Sequence, residues 1–365
     1  MPGAARGSTD PRKWGRVRLR LAPGDEVEAP TYESVGGRLL KILYSTRCRM
    51  DCRYCPFAVF CRRARSIWRR EKLVRTVLRA TREGSIRGLF LSSGLYRDPE
   101  DVTLELVETV EELRARGYTG YVHVKLMPGA PGWLIKRALE SADRVSLNLE
   151  AASASSFSEI APSKGRWSSD LYGRLLLAAE YAQSPAKVST QLVVGAGDDT
   201  DREIIMLTWL LHRDGVGVVH YSPYTPVPGT PLAEKKGPVS PLRTGLLYEA
   251  SRLLRDYGYE PRDFEPLLDN GDMLPVTTRS LKEELARAHP EWFPVDPARA
   301  PLWELLRVPG IGPRTASRIV EARSRGERIT PQLLARLLGS ARFRRAAPFL
   351  DLGQRHLPLR DPLRG

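Results

Sequence analysis

The sequence is short of cysteine, histidine and methionine, with 4, 5 and 5 residues respectively in 365. Four cysteines cannot staple a chain of this length as a disulfide scaffold, and all of them fall between Cys48 and Cys61. No apolar run approaches the roughly 20 residues needed to cross a bilayer, and residues 1 to 30 hold no apolar leader. The expectation is a cytoplasmic protein with no membrane partner. With 42% hydrophobic and 27% charged residues, a sizeable core is expected, and a disordered or fibrous chain is excluded. What the chain has in excess is positive charge, 57 lysines and arginines against 43 acids, a formal +14. A polyanion suits that excess as a partner, but net charge alone does not choose between nucleic acid, an anionic membrane and simple solubility.

Residues 1 to 37 are rich in glycine, proline and charge and read as an N-terminal arm. From residue 38, β-rich stretches alternate with helical patterns, the mark of βα units on a parallel sheet. The predicted strands are Leu40 to Thr46, Gly88 to Ser92, Tyr121 to Leu126, Val145 to Leu149, Val188 to Val194 and Val216 to Tyr221. Helices are predicted over Glu71 to Glu83, Glu100 to Arg116, Pro131 to Ser141, Asp170 to Ala182 and Asp201 to His212. Parallel sheets bind their ligands beyond the C-terminal strand ends, where the unusual motifs of this region fall. Residues 38 to 235 form this α/β part, and 236 to 295 read as a helical linker or extension. Residues 296 to 365 hold 14 arginines, no lysine and 6 acids, so they carry +8 of the +14.

The cysteines are spaced C-x3-C-x2-C, at Cys48, Cys52 and Cys55, directly after the first predicted strand. Three thiolates on one loop can converge on a metal centre, and soft sulfur selects zinc, copper(I) or iron–sulfur. Zinc in a structural site takes four ligands, and Cys61 is available as the fourth. The spacing, with Tyr54 just before the third cysteine, closely resembles the cluster motif of radical S-adenosylmethionine (SAM) enzymes. The resemblance implies that Cys48, Cys52 and Cys55 hold a [4Fe-4S] cluster whose remaining iron chelates SAM, and that an electron from it releases a 5′-deoxyadenosyl radical. It places Tyr54 near the adenine and leaves Cys61 a thiol outside the ligand set. No cysteine remains for an auxiliary cluster.

The implied fold is a partial (β/α)6 TIM-like barrel followed by an all-helical module. Ser92, Ser93 and Gly94 occupy the place of the glycine-rich turn that meets the SAM amino group, although a plain βα turn would read the same way. Asn148 and Glu150, two apart on an alternating strand, are candidates for the ribose hydroxyls, or else capping or ion-pairing groups. Gln191 and the turn Val194 to Gly197 face the cofactor on the same reading. Lys125, Lys164, Arg166 and Tyr224 are candidate substrate or carboxylate contacts, His123 and His220 read as packing or hydrogen-bonding groups, and Tyr221 and Tyr224 are candidate hydrogen-atom donors, with no catalytic residue assigned.

Trp303 to Val320 reads as a helix, a Pro-Gly-Ile-Gly hairpin and a second helix opened by Pro313, and it resembles a helix-hairpin-helix motif. Gly310 and Gly312 allow a tight turn that presents backbone amides to a phosphate, and Arg314, Arg318 and Arg323 add charge-assisted contacts. Such contacts position a backbone without reading bases. The alternative is a helical hairpin used for internal packing. The combination resembles a family of radical SAM proteins described as DNA modification or repair proteins, over roughly residues 36 to 350. It implies chemistry on DNA, with RNA, or a non-catalytic zinc protein that binds nucleic acid, as alternatives. An electron donor such as flavodoxin or ferredoxin is expected, and oligomeric state is left open.

Overall fold

The computed structural model of the chain describes residues 14–22, 25–34, 37–278 and 280–353. These form two compact units divided between Tyr248 and Glu249, within one helix, α7 (Pro241–Tyr257).

The first unit is built on an eight-stranded sheet. Its strands are β1 (Trp14–Ala22), β2 (Asp25–Ser34), β3 (Gly37–Leu43), β4 (Gly88–Ser92), β5 (Tyr121–Lys125), β6 (Arg144–Ser146), β7 (Val188–Val194) and β8 (Val218–Pro223), each next to its successor. Strands β1 to β3 pair antiparallel, and β3 to β8 pair parallel. Parallel neighbours need crossovers. These are α1 (Arg70–Arg82), α2 (Pro99–Ala115), α3 (Gly132–Ser141), α4 (Ala154–Ile160), α5 (Gly173–Tyr181) and α6 (Asp201–Arg213).

One face of the parallel strands carries Leu40, Ile42, Leu89, Leu91, Val122, Val124 and Val145, all buried, and the helices bury apolar stripes such as Leu73, Val74 and Val77 of α1 and Leu106, Val110 and Leu113 of α2. This apolar layer is the core. The alternate positions, among them Lys41, His123, Lys125, Ser146, Gln191 and His220, stand on the other face, which is polar.

The expected arm over 1–37 gives way to structure: its described residues after position 13 are the β1–β2 pair. The sequence signal is period-two alternation, Val17, Leu19 and Leu21 between Arg16, Arg18 and Arg20, which the charge obscured. Val17 and Ala29, opposite each other in the register, are buried. The predicted strand Val145 to Leu149 ends at Ser146, because the Thr190 side chain enters the ladder: its hydroxyl donates to the Leu147 carbonyl at 2.8 Å and accepts from the Leu149 amide at 3.1 Å. The predicted helix from Asp170 begins instead as a wide turn at Trp167 that runs into α5, and α4 was not anticipated.

In the second unit, α8 is Leu281–Ala288, α9 Leu302–Arg307, α10 Pro313–Ser324, α11 Pro331–Leu338 and α12 Ser340–Ala346. Leu305, Val308, Ile311, Ile319, Leu334 and Leu350 share one core with Val295, which exchanges backbone hydrogen bonds with Phe349 and Asp351. This core begins at Val295, beside residue 296 where the composition changes, while the compact unit as a whole reaches back to Glu249. Arginine content marks surface, and it is the apolar contacts that delimit the unit.

Candidate active site

The cysteine loop leaves the sheet at Tyr44, whose amide still bonds the Ser92 carbonyl at 2.7 Å. The loop has little regular structure, so its carbonyls need other partners. Arg65 supplies them: its guanidinium donates to the carbonyls of Thr46, Phe57, Ala58 and Cys61 at 2.7–2.9 Å. Within the loop the Cys55 amide bonds the Cys52 carbonyl at 3.0 Å, and the Phe57 amide donates to Cys55 Sγ at 3.4 Å. Asp51 and Ser163 bind each other reciprocally, with Ser163 Oγ donating to Asp51 Oδ1 at 2.7 Å and the Asp51 amide donating to Ser163 Oγ at 3.2 Å. That link carries Lys164 to the site.

A cavity of about 260 Å³ is lined by Cys48, Cys52 and Cys55 together with Tyr54, Ser92, Ser93, Gly94, Asn148, Glu150 and Gln191. The residues expected at the cluster or the cofactor, the turn Val194 to Gly197 apart, thus line one space. Lys125 and Lys164 line it as well. Gly94 is there for a packing reason: a Cβ would stand 2.3 Å from the Arg47 carbonyl oxygen and 3.2 Å from Cys48 Cβ. The close approach that requires glycine is to the cysteine loop.

Glu150 is buried with φ +66°, a left-handed conformation rare for a residue with a side chain. Its backbone is clamped on both sides, the amide to the Gln191 carbonyl at 2.9 Å and the carbonyl to the Val193 amide at 2.8 Å. The carboxylate pairs with the Lys164 ammonium, and Asn148 Nδ2 donates to it at 3.4 Å. Burial pushes the Glu150 carboxyl up, but Lys164 and Lys125 outweigh it and hold it below its usual value. For Lys164, burial pulls down, and Glu150 and Cys52 more than restore it. Burial, then the Glu150 charge, raises the Tyr54 hydroxyl. Burial also drives Cys52 up to about 12, against the pull of Lys164, and raises Cys55. These thiols ionise only when a cation supports the thiolate.

Other expected residues lie elsewhere. Among the described residues, no three His, Cys, Asp or Glu side chains group as ligands of a single metal ion, so the cysteines share a cavity wall without crowding around one point. Cys61 directs its thiol to the carbonyls of Cys55 at 3.5 Å and Gly229 at 3.6 Å. Tyr221 and Tyr224 are core residues, each 1% exposed, and neither lines the cavity. The Tyr221 hydroxyl is hydrogen-bonded to Thr208 at 2.7 Å. Gly195 and Gly197 pack against Val239 and Ser156, and Arg166 is exposed, so the turn Val194 to Gly197 and Arg166 stay outside the cavity. Lys125, named only as a candidate contact, and Arg65, which no motif marks, are the residues that sequence reasoning underrated or missed.

In the second unit, α9 and α10 are joined by a turn in which Gly310 has φ +85° and a Cβ would lie 2.6 Å from the Arg342 carbonyl oxygen. Gly312 needs no such freedom, since it caps α10 in extended conformation, with Pro313 at the first helical position. Arg314 and Arg318 are exposed. Arg323 is half-buried and donates to the Ala300 carbonyl at 2.7 Å, so it braces the unit from within.

No protein-family model and no curated protein matches the chain. Among solved structures it is similar to methylornithine synthase (PylB), at 17% identity and a TM-score of 0.47 over 60% of this chain and 61% of that one. It is similar to the FeFe-hydrogenase maturase HydG from Carboxydothermus hydrogenoformans, at 16% and 0.48 over 60% and 51%. A radical SAM methyltransferase from Sphaerobacter thermophilus matches at 16% and 0.49 over 70% and 74%. The matched region spans less than two thirds of the first two, and at these identities and scores the likeness says nothing of substrate or chemistry.

Proposed function

We propose that the chain is a radical SAM enzyme acting on nucleic acid, with DNA as the preferred substrate. The observation that carries this reading is the convergence of the C-x3-C-x2-C thiols and the seven expected cofactor residues on one cavity. The donor set fits an iron–sulfur cluster: three thiols face the cavity, the fourth faces away, and a cluster distributes its thiolates over several irons rather than crowding them around one. When bound, the cluster and SAM supply an electron and a 5′-deoxyadenosyl radical that abstracts hydrogen from substrate. The protein's part is to position and to exclude water. Lys164 and Glu150 present a compensated ion pair, Asn148, Gln191 and Tyr54 offer polar groups to the cofactor, and Leu126, Met127 and Leu147 close the wall with apolar surface. Support for nucleic acid comes from the arginine-rich second unit, where Arg314 in the first turn of α10 and Arg318 in its second are exposed. A base would have to be unstacked to reach the cavity.

The test is anaerobic reconstitution with iron and sulfide, then dithionite and SAM. About four irons per chain are expected, with 5′-deoxyadenosine formed, and both lost in Cys48→Ala, Cys52→Ala and Cys55→Ala but kept in Cys61→Ala. Stoichiometric zinc with no iron bound would overturn the assignment in favour of a zinc-containing binding protein. In the same preparations, the double variant Arg314→Ala and Arg318→Ala should bind single-stranded DNA more weakly with cluster content unchanged; equal binding at low salt removes the phosphate role.

A further inference from the structure

Positive charge has a second concentration besides the C-terminal one. Residues 47 to 70 hold eight arginines and a single acid, Asp51, a net +7 that is half of the chain's +14. Three of the eight are engaged within the protein: Arg53 lies near Asp51, Arg65 holds loop carbonyls and Arg70 binds Glu108. Arg47, Arg49, Arg62, Arg63 and Arg69 are exposed, and among the described residues none has a hydrogen-bond or ion-pair partner for its side chain. Large apolar side chains interrupt this run without being buried, Phe60 at 39% and Ile67 at 40% exposure.

The same segment walls a second cavity of the first unit, of about 830 Å³, a size usual for ligand pockets. Strands β2 and β3 pair as far as Thr31 opposite Leu40, and farther along the chain Ser66 to Trp68 pair with Tyr44 to Thr46. The cavity lies between these two pairings, over residues 41 to 43 of β3. Leu43, Ile67, Trp68 and Phe90 give it apolar walls. Trp68 is half-buried, and its ring and indole N–H have no partner among the described residues, while its amide is fixed to the Tyr44 carbonyl at 2.9 Å. Glu28, the one carboxylate in the lining, is bound to Arg16 at 3.1 Å. Lys41 and Lys72 line the cavity too but interact with other groups of the protein, so Arg69 is the cation left to a ligand. Leu43 lines this cavity and the cofactor cavity alike, and Arg47 stands between Thr46 of the one lining and Cys48 of the other.

We propose that this cavity receives one unstacked base of a single-stranded nucleic acid, with the phosphates of the strand along Arg47, Arg62, Arg63 and Arg69. Single strands are held by aromatic surfaces on which bases stack, next to cations that follow the backbone, and both are present here without a partner. Arg62 and Arg63 precede Ser66 by no more than four residues, so at most about 14 Å of extended chain separates them from the cavity wall. An acidic protein would satisfy the arginines yet leave Trp68 and the apolar walls empty. The ligand class rests on the nucleic-acid reading, but the place is a new one: the first unit itself holds the strand, beside the cofactor cavity, in addition to Arg314 and Arg318 of the second.

The experiment is fluorescence anisotropy of a short labelled oligothymidylate with the reconstituted full chain, over a series of salt concentrations. The triple variant Arg62→Ala, Arg63→Ala and Arg69→Ala should bind at least about tenfold more weakly and lower the slope of log affinity against log salt by about 2. Trp68→Ala should lose about 5-fold to 100-fold in affinity with the slope unchanged, and Trp68→Phe should recover most of the loss. Should Trp68→Ala unfold, Trp68→Leu, which keeps bulk without the ring, carries the test with a similar loss expected. Binding that is native in the triple variant and weakened only in the double variant Arg314→Ala and Arg318→Ala overturns the proposal and leaves the nucleic-acid reading standing. Absence of binding by the native chain at low salt overturns both. Loss in the triple variant with native binding in the folded Trp68 variants takes the base out of the cavity and overturns the proposal as well. Slower cluster reduction by flavodoxin in the triple variant, with DNA binding unchanged, assigns the arginines to an acidic electron donor instead.

Discussion

Replacing Arg65 by alanine isolates the contribution of tertiary structure to the cysteine loop, because Arg65 lies outside the motif yet holds four of the loop's carbonyls. A hydrogen bond from a charged donor nets roughly 1.5–3 kcal/mol. The four are not additive, since they share one guanidinium and the freed carbonyls of this half-buried site regain water. A local loss of about 2–4 kcal/mol follows. The loss falls on the loop, while α1 to α6 and the sheet keep their packing. Hydrogen exchange is the direct assay: amides such as Val59, bonded to the Met50 carbonyl at 2.8 Å, and Cys61, bonded to the Ala58 carbonyl at 3.0 Å, report loop opening. Their protection should fall by about 30-fold to 1,000-fold, with protection in β4 and β5 unchanged. Arg65→Lys keeps the charge but not the fork and should recover only part of the effect. Native-like exchange over 46–61 in Arg65→Ala would refute the argument that the guanidinium orders this loop.

Gly94→Ala should destabilise the first unit by about 1–3 kcal/mol through overpacking against the Arg47 carbonyl. Gly237→Ala, with nothing within 4 Å of the added methyl, is the matched control in thermal unfolding, and equal melting of the two variants would count against the close approach. Lys282 donates to the Ile311 carbonyl at 2.5 Å and lies 4.7 Å over the Tyr257 ring, and burial, then Arg252, pulls its pKa to about 7. An unfolded lysine keeps its proton to near 10.5, so between these values the unfolded state binds more protons and stability rises with pH, by at most about 1.4 kcal/mol per unit. Urea unfolding from pH 7 to 9 should show a shallower rise in Lys282→Met, and an identical slope would place the lysine's titration elsewhere.

The βα alternation was legible because the apolar face of each strand and the stripe of each helix repeat at short, local periods. Strand ends were less so: nothing in Leu147 to Glu150 announces that the Thr190 hydroxyl takes over the ladder. The β1–β2 pair was within reach, since arginine alternates there with valine and leucine. Arg323 looked equivalent to Arg314 and Arg318, and its partial burial with a 2.7 Å bond to the Ala300 carbonyl set it apart, whereas the exposed Arg318 reaches the Leu337 carbonyl only at 3.4 Å.

The sequence by itself determined the βα alternation of β3 to β8, the three thiols on one loop and the concentration of arginine near the C-terminal end, because each is written in residues close together along the chain. Tertiary structure decided which charges meet. Lys164 reaches Glu150 through the Asp51–Ser163 link, Arg65 gathers carbonyls on both sides of the cysteines, and parallel pairing lines up Lys41 of β3 with His123 and Lys125 of β5. Hydrophobic periodicity is a local signal, whereas a pair of charges acquires its meaning from groups distant in sequence that burial brings together.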